Sequence, residues 1–128
     1  MSQPAHSGVL IYATQLERMS IFYQRVLGLR EVHADAMHRV LSAGETQLLL
    51  HALPPQVAAQ VQIASPPEPR ETQAIKPFFT VPSLAEAERE VEACGGRLHG
   101  PIWPGPGLRV RNVCDPEGNV LHLRERVG

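Results

Sequence analysis

An α+β fold made from two copies of one strand–helix–strand–strand–strand unit is predicted by three features of the sequence. Two amphipathic helical stretches each follow a short apolar run. In each, the first apolar residue and the closing glycine stand twelve positions apart, Leu16 to Gly28 and Leu84 to Gly96. A shift of 68 positions lays Gly8 on Lys76, Ile11 on Phe79 and Ala13 on Val81, and a shift of 73 lays Leu48 on Leu121 and Leu50 on Leu123. The third feature is Asp115-Pro116-Glu117-Gly118-Asn119 between two stretches that alternate in polarity. Proline presets the second dihedral of a turn, glycine takes the positive dihedral of its exit, and aspartate bonds back to its own backbone, so this is a hairpin turn. Neither copy can cover its own sheet face, so the two must pack together.

Val9-Leu10-Ile11-Tyr12-Ala13 reads as the first strand. A helix follows, opened by Thr14 with Glu17 in a capping box or by Gln15. Its face is Leu16, Met19, Phe22, Tyr23, Val26 and Leu27, and Gly28 stops it. Weaker strands are predicted near 30–34 and 37–42, a turn at Gly44, and a strong strand over Gln47–Ala52. Residues 53–75 hold Pro54, Pro55, Pro66, Pro67 and Pro69 among small and polar residues, and read as a linker with one helical turn around 56–62. Pro77–Val81 then repeats the first strand. Ser83-Leu84-Ala85-Glu86 is a capping box, and Leu84, Ala87, Val91 and Cys94 form a second helix face ended by Gly95-Gly96. A strand near 97–100, a Pro/Gly loop at 101–107, a strand at 108–114 and a last strand at 120–125 complete the set.

The totals narrow the function. A chain of 128 residues suits one domain and buries roughly two thirds of its unfolded surface without a metal or disulfide staple. A formal charge of −1 leaves no basic stripe for nucleic acid. No apolar run approaches the roughly 20 residues of a membrane span, and the N-terminus shows no basic-then-apolar leader. Cys94 and Cys114 are widely spaced and read as reduced core residues of a cytoplasmic protein.

The run from Leu16 through Phe22-Tyr23 to Leu27-Gly28-Leu29, the second strand and helix ending in Gly95-Gly96, and Asp115-Pro116-Glu117-Gly118-Asn119 together resemble the vicinal oxygen chelate superfamily, which includes glyoxalase I, bleomycin resistance proteins and extradiol dioxygenases. The match covers about residues 8–126. The resemblance implies a single domain over 1–128 with two βαβββ modules, about 8–53 and 76–126, joined by a linker at about 54–75. Their sheets would curl into a mixed-sheet cup, usually closed by dimerisation. In metal-dependent members each module supplies ligands from its first and last strands. Those positions here are Gly8, Leu49, Lys76 and His122, and only the last can ligate as it stands.

Strands alternate faces, so the ligand positions fix which residues line the cup. Gly8, Leu10, Tyr12, Leu49 and His51 belong to it in the first module. Lys76, Phe78, Thr80, Val120, His122 and Arg124 belong to it in the second. The opposite set, including Val9, Ile11, Leu48, Leu50, Phe79, Val81, Leu121 and Leu123, is uniformly apolar and belongs under the helices, which supports the register. The candidate ligand-binding residues are Tyr12, Leu49, His51, Lys76, Phe78, Trp103, His122 and Arg124. Trp103 lies in the Pro/Gly loop, as a cover for the mouth or as a residue packing that loop to the body. Lys76 would replace part of a missing metal's charge and favour a carboxylate, phosphate or enolate, or else snorkels to solvent. His122 is the candidate for ligand contact or proton transfer, against a hydrogen-bonded wall residue. If the first and fourth strands ran antiparallel, His6 and His51 would share an outer rung as a displaced two-histidine metal site. His33, His38 and His99 show no spacing that suggests a site, and Arg109 and Arg111 share a face that the sequence does not identify.

The expectation is therefore a metal-independent binder or sequestering protein for a small, partly apolar, anionic or aromatic molecule, without a cofactor and as a homodimer. The alternative is a lyase, isomerase or dioxygenase using a divalent ion through a non-standard set drawn from His6, His51 and His122. A third reading is a structural or regulatory dimer. The fold does not choose among them.

Overall fold

The computed structural model describes residues 5–128. The chain runs β1 (Val9–Ala13), α1 (Leu16–Leu27), β2 (Arg30–Ala34), β3 (His38–Ala43), β4 (Thr46–Ala52), α2 (Pro55–Ala58), β5 (Phe78–Thr80), α3 (Leu84–Ala93), β6 (Arg97–Gly105), β7 (Leu108–Cys114) and β8 (Val120–Arg126). The strands form two four-stranded mixed sheets, ordered β1-β4-β3-β2 and β5-β8-β7-β6, and neither closes into a barrel. In each, the first and last strands of the unit pair in parallel and the remaining neighbours are antiparallel. The predicted repeat is thus present strand for strand.

One core joins the two units. Met19, Phe22, Tyr23 and Val26 of α1 and Leu84, Ala87 and Val91 of α3 are buried with Leu41, Leu48, Leu50, Val81, Val113, Leu121 and Leu123 of both sheets. The two helices touch each other and lie on the same side, as the uniformly apolar face of the strands requires. Gly96 is needed where α1 meets β6, because a Cβ there would collide with the Cys114 carbonyl and lie 2.6 Å from the Phe22 ring.

The turn after β7 fastens one unit to the other. Asp115 Oδ1 accepts the backbone N–H groups of Glu117 and Asn119, at 2.9 and 3.1 Å. Its Oδ2 accepts the Tyr23 hydroxyl at 2.6 Å and the Asn119 side-chain amide at 2.8 Å. The Glu117 carboxylate, almost wholly buried, accepts the backbone N–H of Thr14 and of Gln15. Those donors open α1. Gln15 occupies the N-cap position and no side chain at that position caps the helix, so the expected Thr14–Glu17 box is replaced by a carboxylate from 102 residues away. In α3 the Ser83 hydroxyl accepts the Glu86 N–H as predicted, and Glu125 adds a bond from the Leu84 N–H.

Two predicted segments differ. β6 continues to Gly105 through the stretch read as a Pro/Gly loop. It is an edge strand, with a register irregularity between His99 and Ile102, where prolines cost no ladder bond. The helical turn expected at 56–62 is shorter, Pro55–Ala58. The rest of the linker is strapped to the β8 turn. Arg70 N–H donates to the Gly118 carbonyl, and the Gln73 side chain both donates to and accepts from the backbone of Val120, each at 2.9 Å. A Cβ at Gly118 would strike the Glu68 carbonyl.

Candidate functional site

The sheet face turned away from the helices carries every strand residue expected to line a cup. Residues directly opposite in a ladder share a face. In the first sheet the rows are Leu10–Leu49–Val40–His33 and Tyr12–His51–His38. In the second they are Phe78–His122–Asn112–His99 and Thr80–Arg124–Val110–Trp103. The pairing Leu10–Leu49 occupies in the first unit the place of Phe78–His122 in the second, the repeat written in side chains. Tyr12 is 59% exposed, Phe78 60% and Trp103 55%. Trp103 therefore stands on the open face of an edge strand rather than in a loop.

The same rows settle the seventh strand. Arg109 and Arg111 lie opposite Glu125 and Leu123, so they point to the helix side. Arg111 pairs with Glu88 of α3 at 2.7 Å and Arg109 with Glu125 at 2.9 Å.

The cationic end of the second sheet is a compact group. The Arg124 guanidinium lies over the Phe78 ring, 4.3 Å from its centroid, and one nitrogen stands 3.2 Å from His122 Nε2. The guanidinium can only donate, so His122 Nε2 accepts. Burial lowers the His122 pKa, and the charges of Arg124 and Lys76 lower it further. Lys76 itself is exposed just before β5. Arg124 Nε, a donor, and Asn112 Oδ1, an acceptor, are buried without a hydrogen-bond partner among the described residues. This corner offers two fixed positive charges, a neutral imidazole and an aromatic wall, a combination suited to an anion attached to an apolar body.

A cavity of about 510 Å³ lies along β1. It is lined by Val9, Leu10, Ile11 and Tyr12, from both faces of that strand, by Arg70, Gln73 and Ile75 of the linker, and by Pro77, Asn119 and Leu121, whereas Phe78, His122 and Arg124 do not line it. A second, of about 530 Å³, lies between Gly8 and Phe78–Thr80. β1 thus borders both cavities and β5 borders the second. The lining by linker residues was missed in the sequence, since proline content marks a segment as irregular without saying where it docks.

The metal set implied by the resemblance does not fit these residues. Its four positions offer a hydrogen at Gly8, an isobutyl group at Leu49, an ammonium at Lys76 and one imidazole at His122, which is already engaged by Arg124. Among the described residues, no three His, Cys, Asp or Glu side chains group in a way that could hold a metal ion. The His6–His51 pair is not formed either. It required antiparallel neighbours, but β1 and β4 are parallel. His51 therefore lies opposite Tyr12, at the end of β1 away from His6, and His6 lines a different hollow with Arg30 and Glu45. Both cysteines are free, and burial pushes their thiols up.

Comparison with known proteins agrees with this geometry. The family model of the glyoxalase-like domain matches residues 8–124. A crystal structure of a glyoxalase/bleomycin resistance protein/dioxygenase family enzyme from Burkholderia phytofirmans PsJN superposes with a TM-score of 0.70 at 23% identity, covering 97% of this chain and 100% of that one. A bleomycin resistance determinant encoded on transposon Tn5 gives 0.63 at 21% identity over 96% and 98% of the two chains. A fosfomycin resistance protein from Mesorhizobium loti gives 0.66 at 16% over 99% and 95%. No curated protein matches.

Proposed function

Because the chain belongs to the glyoxalase-like domain family of the vicinal oxygen chelate superfamily, we propose that it binds a small anionic molecule with an apolar or aromatic body on the open face of its second sheet, without a metal at the superfamily's ligand positions. The observation that carries the reading is the Arg124 guanidinium stacked on Phe78 beside His122, with Lys76 at a position where metal-dependent relatives place a ligand. Arg124 and Phe78 supply the anion contact and the apolar platform. His122, held neutral, donates from Nδ1 to the ligand or relays a proton. Sequestration needs no more than this. Neighbours of the same fold include resistance proteins for bleomycin and fosfomycin, and a small-molecule role is in keeping with that.

The cup is completed by a second copy of the chain in a homodimer. Leu10, Tyr12, Phe78 and Trp103 give the open face the apolar character of a surface awaiting cover. The binder is a cytoplasmic protein. Among the described residues no helix is long and apolar enough to cross a membrane.

Trp103 is the only tryptophan of the chain and stands on this face, so its fluorescence reports occupancy. A panel of aromatic carboxylates and phosphates, each paired with its neutral amide or alcohol, is titrated against the protein and against Lys76→Met and Arg124→Met. The anion is expected to lose about tenfold in affinity or more in each variant, the worth of one charge-assisted hydrogen bond, and the neutral partner little. Equal losses for both, or no preference for the anion in the unaltered protein, would sink the reading.

A further inference from the structure

The first sheet carries a second constellation that the anion site does not use. His38 and His51 are directly opposite on β3 and β4, on the open face, with ring centroids 4.5 Å apart and ring planes at 76°. Each ring has its Nδ1 committed. His51 Nδ1 lies 2.7 Å from the Ala52 carbonyl oxygen, which can only accept, so this nitrogen carries the proton. His38 Nδ1 lies 3.0 Å from Asp35 Oδ1. That carboxylate is fixed in turn by the backbone N–H groups of Met37 and His38, both at 2.8 Å, and by His33 Nε2 at 2.8 Å. A carboxylate oxygen accepts, so His38 also carries its proton on Nδ1. In the neutral form of each ring Nε2 is then the nitrogen with the lone pair, and no hydrogen bond among the described residues engages it. Two imidazoles oriented through Nδ1–H by a carboxylate and a carbonyl are in the state that metal-ligating histidines adopt.

From this we propose that His38 and His51 form a transition-metal site through their Nε2 atoms, with Asp35 and the Ala52 carbonyl orienting the rings and with solvent or a bound molecule completing the coordination. The spacing is compatible. With a metal–nitrogen bond of about 2.05 Å a ring centroid stands about 3.2 Å from the ion, so two rings on one ion have centroids at most about 6.4 Å apart, and 4.5 Å lies within that reach. Imidazole donors suit zinc, copper and nickel, and copper(II) is held most tightly by such a pair. His38 is 39% exposed, so an ion can reach it. This site lies on the other sheet from the superfamily's remaining donor, His122, and it replaces the partner that His51 was expected to find in His6.

The experiment uses the full chain without an affinity tag. Long-range nitrogen–proton correlation spectra of the metal-free protein read the tautomers directly, and both histidines are expected to show Nδ1–H. An Nε2–H form at either one overturns the proposal without any variant. Zinc chloride is then titrated calorimetrically, and copper(II) binding is followed by electron paramagnetic resonance. One ion per chain is expected, with superhyperfine splitting from two nitrogens. His38→Gln and His51→Gln should each weaken binding at least tenfold. Asp35→Asn should weaken it by roughly 10- to 100-fold, the usual effect of removing a group that orients a ligand. His122→Gln and His99→Gln should leave it unchanged. No binding, binding that survives His38→Gln, or binding that follows His122 or His99 instead overturns the proposal. Anion binding at Lys76 and Arg124, measured by Trp103 fluorescence, is scored separately.

Discussion

At the scale of single residues, His122 sets the pH behaviour of the second sheet. Burial, Arg124 and Lys76 lower its folded pKa from the ordinary 6.5. Between the lowered value and 6.5 the unfolded chain binds more protons than the folded one, so stability rises with pH through that window and is lost as pH falls through it. Equilibrium unfolding in denaturant below pH 6.5 should show this slope, and His122→Gln should flatten it. An unchanged slope would place the titration elsewhere. A bound anion offsets the two neighbouring cations, so ligand binding should be accompanied by proton uptake in this range, visible as buffer-dependent heat in calorimetry. A second residue-scale prediction concerns Tyr23. Its hydroxyl is wholly buried against Asp115, and burial, followed by the Asp115 charge, raises its pKa. Tyr23→Phe removes one of the two side-chain donors to Oδ2 and should cost about 1–3 kcal/mol in denaturant unfolding. A loss within error would mean that the bond makes no net contribution.

Among the elements, the turn between β7 and β8 has more influence than its size suggests. It caps a helix of the other unit through Glu117 and holds the linker through Gly118. Glu117→Gln keeps the shape and removes the charge that faces the first turn of α1. It should lower stability by about 1–2 kcal/mol, with hydrogen-exchange protection lost first at the start of α1. Uniform loss across both units would show the contact to be global rather than a local cap. The turn itself was legible, because Asp, Pro, Gly and Asn each have a local reason to be there. Its grip on Thr14 and Tyr23 was not, since nothing local distinguishes a carboxylate that caps a remote helix from one in solvent. For the same reason the Thr14–Glu17 box was expected and not formed. β6 shows the converse. Pro101 and Pro104 look like strand breakers until the strand is known to be an edge.

The molecule as a whole leaves one broad face open, with Leu10, Tyr12, Phe78 and Trp103 on it, while the opposite faces of both sheets share one core. Sedimentation at micromolar concentration should give a dimer, and Tyr12→Glu should shift it to monomer without changing the denaturation midpoint extrapolated to low protein concentration. A monomeric unaltered chain would remove the second copy from the proposed cup.

Residue order alone determined the two-unit α+β architecture and which face of each strand is apolar. Those properties rest on the period of two in strands and the 3.6-residue turn of helices, which are local and leave their mark in every few residues. It also showed that three of the four inherited metal positions could not ligate, a matter of side-chain chemistry. Only the tertiary structure decided which titratable groups meet. It placed His38 opposite His51, stacked Arg124 on Phe78, and turned Arg109 and Arg111 away toward α3. Strand direction and ladder register fix those encounters. They are set by the packing of distant segments on a common core, and spacing along the chain carries no trace of them.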